Sequence, residues 1–149
     1  MSAASEAVER AATAVMDGEM VVFPTETVYG LAADALDAET VESVFEAKGR
    51  DRNDPLSLAA ADAATALDYV HADETERAFA ERFLPGPVTV VCEKRAVVPD
   101  ALTGGRDRVG LRVPDHDLAQ ALLDATGPVT GTSANVSGRG SVTRVADLD

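Results

Sequence analysis

A short apolar run that meets a proline opens the stretch that decides the fold: residues 20–31 read MVVFPTETVYGL. The apolar residues 20–23 predict a buried strand, which Pro24 ends because proline has no backbone N–H for a sheet ladder. The hydroxyl-rich segment that follows, residues 24–33, is predicted to be a loop. Thr25 and Thr27 are two residues apart, so an extended backbone presents both hydroxyls to one side. They either cap a turn or contact a ligand, because ligands of open sheets bind beyond the strand ends.

Helical and strand-like patterns alternate along the rest of the chain. Apolar residues at helical spacing predict helices, of which one begins at an Asp37 cap and ends near Gly49. Short apolar runs bounded by proline or glycine predict strands. The last complete helix is expected to have Asp115 or Asp117 as its cap. The predicted helices cover residues 4–17, 37–49, 62–69, 73–83 and 115–125, a further helix opens at 142–149, and the predicted strands cover 20–23, 55–60, 87–92, 108–113 and 129–131. This mixture favours an α/β or α+β domain around one mixed sheet.

The length of 149 residues suits a single domain with its own core. No apolar run approaches the roughly 18 residues that span a bilayer, and residues 1–10 lack the basic and apolar regions of a signal peptide. These features predict a soluble cytoplasmic protein. The single cysteine, Cys92, lies in a strand-like run and is expected to be a buried, unreactive thiol.

The chain is strongly acidic, with 26 Asp and Glu residues against 13 Lys and Arg residues and a net charge of −13. Only Lys48 and Lys94 are lysines. An aspartate-rich, lysine-poor surface holds water and ions at high salt, so the composition predicts a halophilic source; the alternative is that the acidity serves solubility alone. General nucleic-acid binding is disfavoured, because contacts to phosphates need a basic surface.

Cations gather in residues 48–52, which read KGRDR. Arginine has the fork geometry for phosphate oxygens and lysine supplies a point charge, so this segment is a candidate phosphate site. Two alternatives stay open. Lys48 would serve only to stabilise the C-terminal end of its helix, and Asp51 and Asp54 would neutralise the arginines locally.

A second cationic segment leads into the strand predicted at residues 108–113. Arg108, Gly110 and Arg112 alternate with apolar residues, so both arginines are expected on one face of the strand. They bind an anionic ligand, pair with a row of Asp side chains or form a solvated edge. A third polar segment, residues 131–141, reads GTSANVSGRGS. Its hydroxyls and amides can hold an anion, although a flexible surface loop explains the composition equally well, and it matches neither the P-loop nor the Rossmann pattern.

Several kinds of site are disfavoured by what the sequence lacks. Two histidines, His71 and His116, and one cysteine argue against a transition-metal site, and His116 is expected to be structural. No Ser-His-Asp or Cys-His arrangement suggests itself. The few aromatic residues do not interleave with basic ones, against a stacking platform for RNA. A reaction that works by positioning and charge neutralisation fits best.

Taken together, five segments resemble the YrdC-like family in order and spacing. They are PTETVYGL at residues 24–31, KGR with PL at 48–50 and 55–56, LPGPVT at 84–89, VGLRVP at 109–114 and SANVSG at 133–138. The resemblance covers residues 17–148. It implies a twisted mixed α/β sheet with flanking helices around a positively charged cavity. It also implies a single YrdC-like domain over residues 1–149, which stops before the family's C-terminal segment.

The resemblance further implies an L-threonylcarbamoyladenylate synthase, a nucleotidyltransferase. Such an enzyme makes threonylcarbamoyl-AMP and pyrophosphate from L-threonine, bicarbonate or carbon dioxide, and ATP, with Mg²⁺ accompanying the ATP. A downstream transfer machinery then uses the product for the threonylcarbamoyladenosine modification of tRNA, and any direct binding of RNA is expected to be weak. Two alternatives stay open: a non-catalytic relative that binds RNA or nucleotide, and a carbamoyl-transfer module like that of hydrogenase maturation proteins.

Matched motif by motif, the resemblance assigns roles to individual residues. L-threonine would be held by Thr27, by Arg112 through its carboxylate, and by the main chain near Gly131. Lys48 and Arg50 would face the ATP phosphates as the catalytic cations. Residues of three segments would line the rest of the ATP site: Asp54, Arg108, Ser133 and Ser141. The resemblance implies no metal-ligating residue.

Overall fold

The computed structural model describes residues 3–25 and 29–133. Its elements, in chain order, are α1 (Ala3–Met16), β1 (Val21–Phe23), β2 (Gly30–Ala32), α2 (Ala38–Lys48), β3 (Ser57–Ala59), α3 (Ala63–Leu67), β4 (Val70–His71), α4 (Glu74–Phe83), β5 (Gly86–Lys94), α5 (Asp100–Thr103), β6 (Arg108–Val113), α6 (Asp117–Thr126) and β7 (Val129–Ser133). The helix predicted to open at residues 142–149 lies outside the described residues.

The strands of the described part form one sheet in the order β1-β2-β7-β3-β6-β5-β4. β3 and β6 run parallel, and all the other neighbouring pairs are antiparallel. A mixed sheet with helices packed against it confirms the predicted α/β class. Within the same residues no helix combines the length and the apolar character that crossing a membrane requires.

Local sequence signals set several helix ends as predicted. The Asp37 side chain accepts a hydrogen bond from the N–H of Glu39 at 3.1 Å, which satisfies one of the free donors of α2. α2 ends at Gly49, whose φ of 62° lies in the left-handed region that glycine adopts without strain. α4 begins with a reciprocal capping box between Asp73 and Glu76.

The cap of α6 and the extent of the loops differ from the prediction. His116 is the N-cap of α6, because its Nδ1 accepts the N–H of Leu118 at 3.2 Å; neither Asp115 nor Asp117 has this role. The expectation that His116 is structural is thereby confirmed. The loop predicted over residues 24–33 contains β2, and β7 continues to Ser133 where a loop was expected. Both strands are short, and they pair with each other although they are far apart in the sequence.

Two hydrophobic clusters lie on opposite faces of the sheet. One face packs against α2, α3, α4 and α5, and its buried residues include Leu58 of β3 and Leu111 of β6. The other face packs against α1 and α6, and its buried residues include Ala59 of β3 and Val129 of β7. Cys92 is fully buried in the first cluster, and burial raises the pKa of its thiol. This confirms the prediction of a buried thiol.

Candidate functional site

Four of the five motif segments reach one end of the sheet, whereas LPGPVT at residues 84–89 starts β5 at the opposite end, where Gly86 pairs with Val113. In the ladder, Gly30 pairs with Ser133 and Ser57 pairs with Gly131, both in antiparallel register. β2, β3 and β6 therefore begin at the end where β1 and β7 finish. We call this the motif end of the sheet. The described residues at this end are Pro24, Thr25 and Tyr29, the loop after α2, the turn before β6 and Ser133.

Lys48 occupies the last turn of α2 and is only 3 % exposed. Burial lowers the pKa of its ammonium group, and the nearby positive charge of Arg50 lowers it further. Gly49 then turns the chain out of the helix, with its N–H bonded to the carbonyls of Phe45 and Glu46. The left-handed glycine thus separates the buried Lys48 from the loop that carries Arg50.

Arg50 is bound to the loop that follows it. Its Nε donates to the carbonyl of Asp54 at 2.9 Å and its Nη2 donates to the carbonyl of Pro55 at 2.9 Å. The same Nη2 lies 3.3 Å from Oδ1 of Asp54, whose side chain is 63 % exposed. Asp54 therefore neutralises Arg50 locally, which was one of the alternatives. No contact in the described residues uses Nη1, so this edge of the guanidinium is available for an anion.

The third cation of the segment faces away from Arg50. Arg52 pairs with Glu42 and Glu46, two carboxylates on the exposed side of α2. Asp51 accepts the N–H of Asn53 at 2.9 Å and so shapes the turn. The loop after α2 therefore offers two cations to a ligand, Lys48 and Arg50.

Arg112 is a partly buried cation on β6. It pairs with Ala59 across the parallel β3–β6 ladder, and its neighbours Leu111 and Val113 are fully buried on the opposite face. Within residues 3–25 and 29–133 its side chain has neither an ion-pair partner nor a hydrogen-bond partner. A guanidinium that is partly withdrawn from water gains most from a carboxylate or a phosphate, which can accept two parallel hydrogen bonds.

Neighbouring side chains lie close to the backbone of two glycines on the sheet, Gly131 and Gly110. A Cβ built on Gly131 would lie 3.2 Å from Cβ of Ser57, and a Cβ built on Gly110 would lie 2.8 Å from Cγ2 of Thr89. Both glycines therefore allow neighbouring side chains to lie close over the backbone. The Gly131 main chain, predicted to assist threonine binding, is partly exposed on the face that carries Arg112. Ser57 was not among the predicted site residues.

Arg108 begins β6 on the same face of the strand as Arg112, as the alternation predicts. Its guanidinium, however, lies 3.8 Å from Oε2 of Glu76 on α4, and its side chain is 60 % exposed. α4 packs on the other face of the sheet, where Ala80 joins the first cluster. The two predicted site arginines are thus on one strand face, but their side chains meet different surroundings.

The remaining predicted residues are described incompletely or not at all. Thr27 and Ser141 lie outside the described residues. Ser133 is placed through its backbone, at the last position of β7 opposite Gly30. The described residues contain no group of three or more His, Cys, Asp or Glu side chains that is arranged to hold a metal ion.

An apolar groove between α1, β1 and α6 has a different character. Its empty volume is about 400 Å³, and every side chain that lines it is apolar: Ala7, Val8, Ala11, Val21, Val22, Phe23, Pro24, Leu118 and Leu122. A wall without charge does not suit the anionic substrates that the cations at the motif end favour. We therefore place the candidate site at the motif end and on the adjoining Arg112 face.

The sequence of the chain matches a known family over most of its length. The family model described as Telomere recombination, Sua5/YciO/YrdC, matches residues 13–149. The chain belongs to this family. As a Sua5/YciO/YrdC member it is 44 % identical over 136 residues to the threonylcarbamoyl-AMP synthase of Pyrococcus abyssi, an alignment that covers 89 % of this chain and 40 % of the relative. It is 39 % identical to the threonylcarbamoyl-AMP synthase of Bacillus subtilis, over 95 % of this chain and 43 % of the relative.

The fold of this Sua5/YciO/YrdC member also matches a solved structure. The crystal structure of P. abyssi Sua5 complexed with L-threonine superposes with a TM-score of 0.87 and 42 % identity, covering 91 % of this chain and 40 % of that one. The chain thus spans less than half the length of these relatives. The part that it shares with them contains both arginine-bearing segments and the strands of the motif end.

Proposed function

We propose that this chain catalyses the formation of L-threonylcarbamoyl-AMP and pyrophosphate from L-threonine, bicarbonate or carbon dioxide, and ATP. The proposal is supported by relatives named threonylcarbamoyl-AMP synthase at 44 % and 39 % identity. It is also supported by a structural neighbour, 42 % identical, that was crystallised with L-threonine. The product would be consumed by a machinery that transfers the threonylcarbamoyl group to tRNA.

One observation carries the proposal furthest: Arg112 is partly buried and has no anionic partner among the described residues, in a chain of net charge −13. With 26 carboxylate side chains available, a structural arginine would be expected to have one nearby. A substrate carboxylate explains why this guanidinium is held on the sheet without a partner in the described part of the chain. Arg112 would therefore bind and orient the carboxylate of L-threonine.

The cations of the loop after α2 would bind the triphosphate. Lys48 supplies a charge at the end of α2, and Arg50 presents the edge of its guanidinium that the loop does not use. Phosphate oxygens would stabilise the charged form of Lys48 and so oppose the effect of burial on its pKa. The reaction requires that the α-phosphate, held in this way, lies within reach of an amino acid bound at Arg112.

With carbon dioxide as the carbon source, two bonds between heavy atoms form and one breaks in the proposed reaction. The threonine nitrogen first bonds to the carbon of carbon dioxide, which bicarbonate supplies by losing hydroxide, and the proton of the nitrogen leaves to solvent or to the carbonate. A carbamate oxygen then attacks the α-phosphorus of ATP, and the bond from that phosphorus to the bridging oxygen of the β-phosphate breaks. Pyrophosphate leaves with that electron pair, while the cations neutralise the growing charge.

Mg²⁺ is proposed to enter with ATP. The described residues offer no cluster of carboxylates that would retain the ion by itself. A magnesium ion commonly keeps several waters and is held through substrate phosphates, where it supplies further charge neutralisation. Lys48 and Arg50 would bind the phosphate oxygens that the ion leaves uncovered.

The direct test measures pyrophosphate release by the purified chain with ATP, Mg²⁺ and bicarbonate, with and without L-threonine, at high salt. We expect release that depends on threonine, and product with the mass of threonylcarbamoyl-AMP. Release that is equal without threonine, or none at any salt concentration, would contradict the proposal. Salt-sensitive RNA binding without pyrophosphate release would instead favour the non-catalytic alternative.

A further inference from the structure

A hydroxyl group lies between two glycines on the sheet face that carries Arg112. Ser57 begins β3, with Gly131 of β7 on one side and Gly110 of β6 on the other. A Cβ at Gly131 would lie 3.2 Å from Cβ of Ser57, and a Cβ at Gly110 would lie 3.1 Å from its Oγ. The hydroxyl therefore leans toward β6, the strand of Arg112. Because glycine has no side chain, neither Gly110 nor Gly131 covers the hydroxyl on this face.

On this sheet face, the helices cover the position of Ala59 but leave that of Ser57 partly exposed. Ala59 and Val129, the next residues with the same orientation on β3 and β7, are 3 % and 0 % exposed under α1 and α6. Ser57 and Gly131 form the adjacent pair in the ladder and are both partly exposed. The sheet face thus changes at this step from a covered apolar surface to an accessible one with a hydroxyl at its centre.

The Ser57 hydroxyl has no hydrogen-bond partner within residues 3–25 and 29–133. A serine hydroxyl donates one hydrogen bond and accepts two, and a partly buried one without partners loses some of the hydrogen bonding that water would give it. Arg112 lies two residues along and one strand across, because it pairs with Ala59. The two backbone positions are about 8 Å apart, given the spacing of residues and strands in a sheet.

We infer that Ser57 is a further substrate contact, whose hydroxyl binds the amino acid that Arg112 holds by its carboxylate. This inference rests on the proposed function, because it takes L-threonine as the ligand of Arg112. With the two backbone positions about 8 Å apart on one sheet face, a small amino acid can contact both side chains. Gly110 and Gly131 keep this space open, because a side chain at either position would meet Thr89 or Ser57.

The alternative is that position 57 requires only a small side chain and that the hydroxyl has no role in binding. The Ser57 side chain lies close to the backbone of Gly110 and Gly131, so a larger residue would have less room there. Two substitutions at Ser57 separate the effect of side-chain size from the effect of hydrogen bonding. Ser57→Ala removes only the oxygen, and Ser57→Cys keeps a group of similar size that is a weak donor.

The test measures binding of L-threonine to the purified chain by calorimetry without ATP, alongside threonine-dependent pyrophosphate release. We expect Ser57→Ala to weaken threonine binding about 3- to 10-fold, as loss of one hydrogen bond does, with an unchanged KM for ATP. Ser57→Cys should fall between Ser57→Ala and the wild type. Ser43→Ala is the matched control, because the Ser43 hydroxyl bonds only to the carbonyl of Glu39 on exposed α2.

The outcomes separate this inference from the proposed function. Weaker threonine binding by Ser57→Ala, in a chain that releases no pyrophosphate, supports the inference and contradicts the proposed reaction. Equal threonine binding by Ser57→Ala and an active wild type overturns the inference and leaves the reaction standing. A wild type that does not bind L-threonine at all, or a Ser57→Ala variant that loses ATP and threonine affinity equally, also overturns the inference.

Discussion

Arg50 contacts Asp54 at two points: its Nε donates to the backbone carbonyl at 2.9 Å, and its Nη2 lies 3.3 Å from the carboxylate. The same side chain also donates to the carbonyl of Pro55. One guanidinium thus fixes the path of the chain between α2 and β3. It does so while its Nη1 edge has no contact within the described residues, so a structural and a ligand-binding role are compatible.

Arg50→Lys tests this double role. Lysine keeps the charge but cannot make the forked contacts with the carbonyls of Asp54 and Pro55. We expect the KM for ATP to rise about 10-fold and the free energy of unfolding to fall by about 1–2 kcal/mol. Arg52→Lys is the matched control, because within the described residues the Arg52 side chain pairs only with Glu42 and Glu46 on the exposed side of α2. An equal effect of both substitutions on ATP would argue against a phosphate role for Arg50.

Arg112→Gln should separate substrate binding from stability. The substitution removes a charge that has no protein partner in the described residues, so the unfolding midpoint should change little. The KM for L-threonine should rise about 10- to 100-fold, as expected for a lost charge-assisted contact, while the KM for ATP stays the same. Steady-state kinetics with each substrate varied in turn measure both constants. An increase confined to ATP would reassign Arg112 to the nucleotide.

Lys48 should give both stability and ATP binding a dependence on pH. Burial, reinforced by Arg50, holds the pKa of Lys48 below its ordinary value of 10.5. Between the lowered value and 10.5 the unfolded state binds more protons than the folded state, so the unfolding free energy rises with pH through this window and then levels off. ATP affinity should fall as pH rises through the lowered pKa, because a neutral amine attracts phosphate less strongly.

Lys48→Met should remove both dependences, and Lys94→Met, which removes the other lysine, serves as the control. Denaturant unfolding at a series of pH values measures the first effect, and calorimetric titration with ATP measures the second. If Lys48→Met leaves the slope of stability against pH unchanged in this window, Lys48 is not the group that titrates.

Gly110→Ala tests how closely Thr89 packs against the backbone of β6. A Cβ at this position would lie 2.8 Å from Cγ2 of Thr89, closer than carbon atoms approach without displacement. We expect the free energy of unfolding to fall by about 1–3 kcal/mol, as in other overpacked sites. Thr89→Ser removes that methyl group and should restore part of the loss in the double variant. Urea unfolding of the two single variants and the double variant checks this, and independent, additive effects would contradict the contact.

The acidic composition predicts that salt stabilises the fold. Repulsion among the charges of a −13 chain is screened as ionic strength rises, with a Debye length of about 3 Å at 1 M salt. The thermal unfolding midpoint should therefore rise between low salt and about 1 M KCl. A midpoint that stays flat or falls would contradict the prediction of a halophilic source.

Much of the local structure was predictable because it depends on residues near one another in the chain. The Asp37 cap and the Gly49 end of α2 each follow from contacts within a few positions. The alternation of buried and less buried residues along β6 follows from the period of a strand. β2 escaped prediction because its three residues, Gly30–Ala32, form a strand only through partners on β1 and β7.

The candidate site was predictable as a set of residues but not as an arrangement. Family-like motifs selected Lys48, Arg50 and Arg112, yet no local pattern shows that Arg108 pairs with Glu76 while Arg112 has no such partner in the described part of the chain. Ser57 had one signal, a polar residue inside the apolar run 55–60. That signal gains meaning only beside Gly110 and Gly131, which are 53 and 74 residues further along.

The sequence by itself determined the α/β class, the helix caps formed by nearby residues and the family to which the chain belongs. These properties depend on short-range periodicity and on motifs whose residues are contiguous in the sequence. The tertiary structure decided which strands pair, which arginine has a carboxylate partner and which hydroxyl lies beside Arg112. Such contacts depend on burial and on strand register, which bring together residues that are distant in the chain.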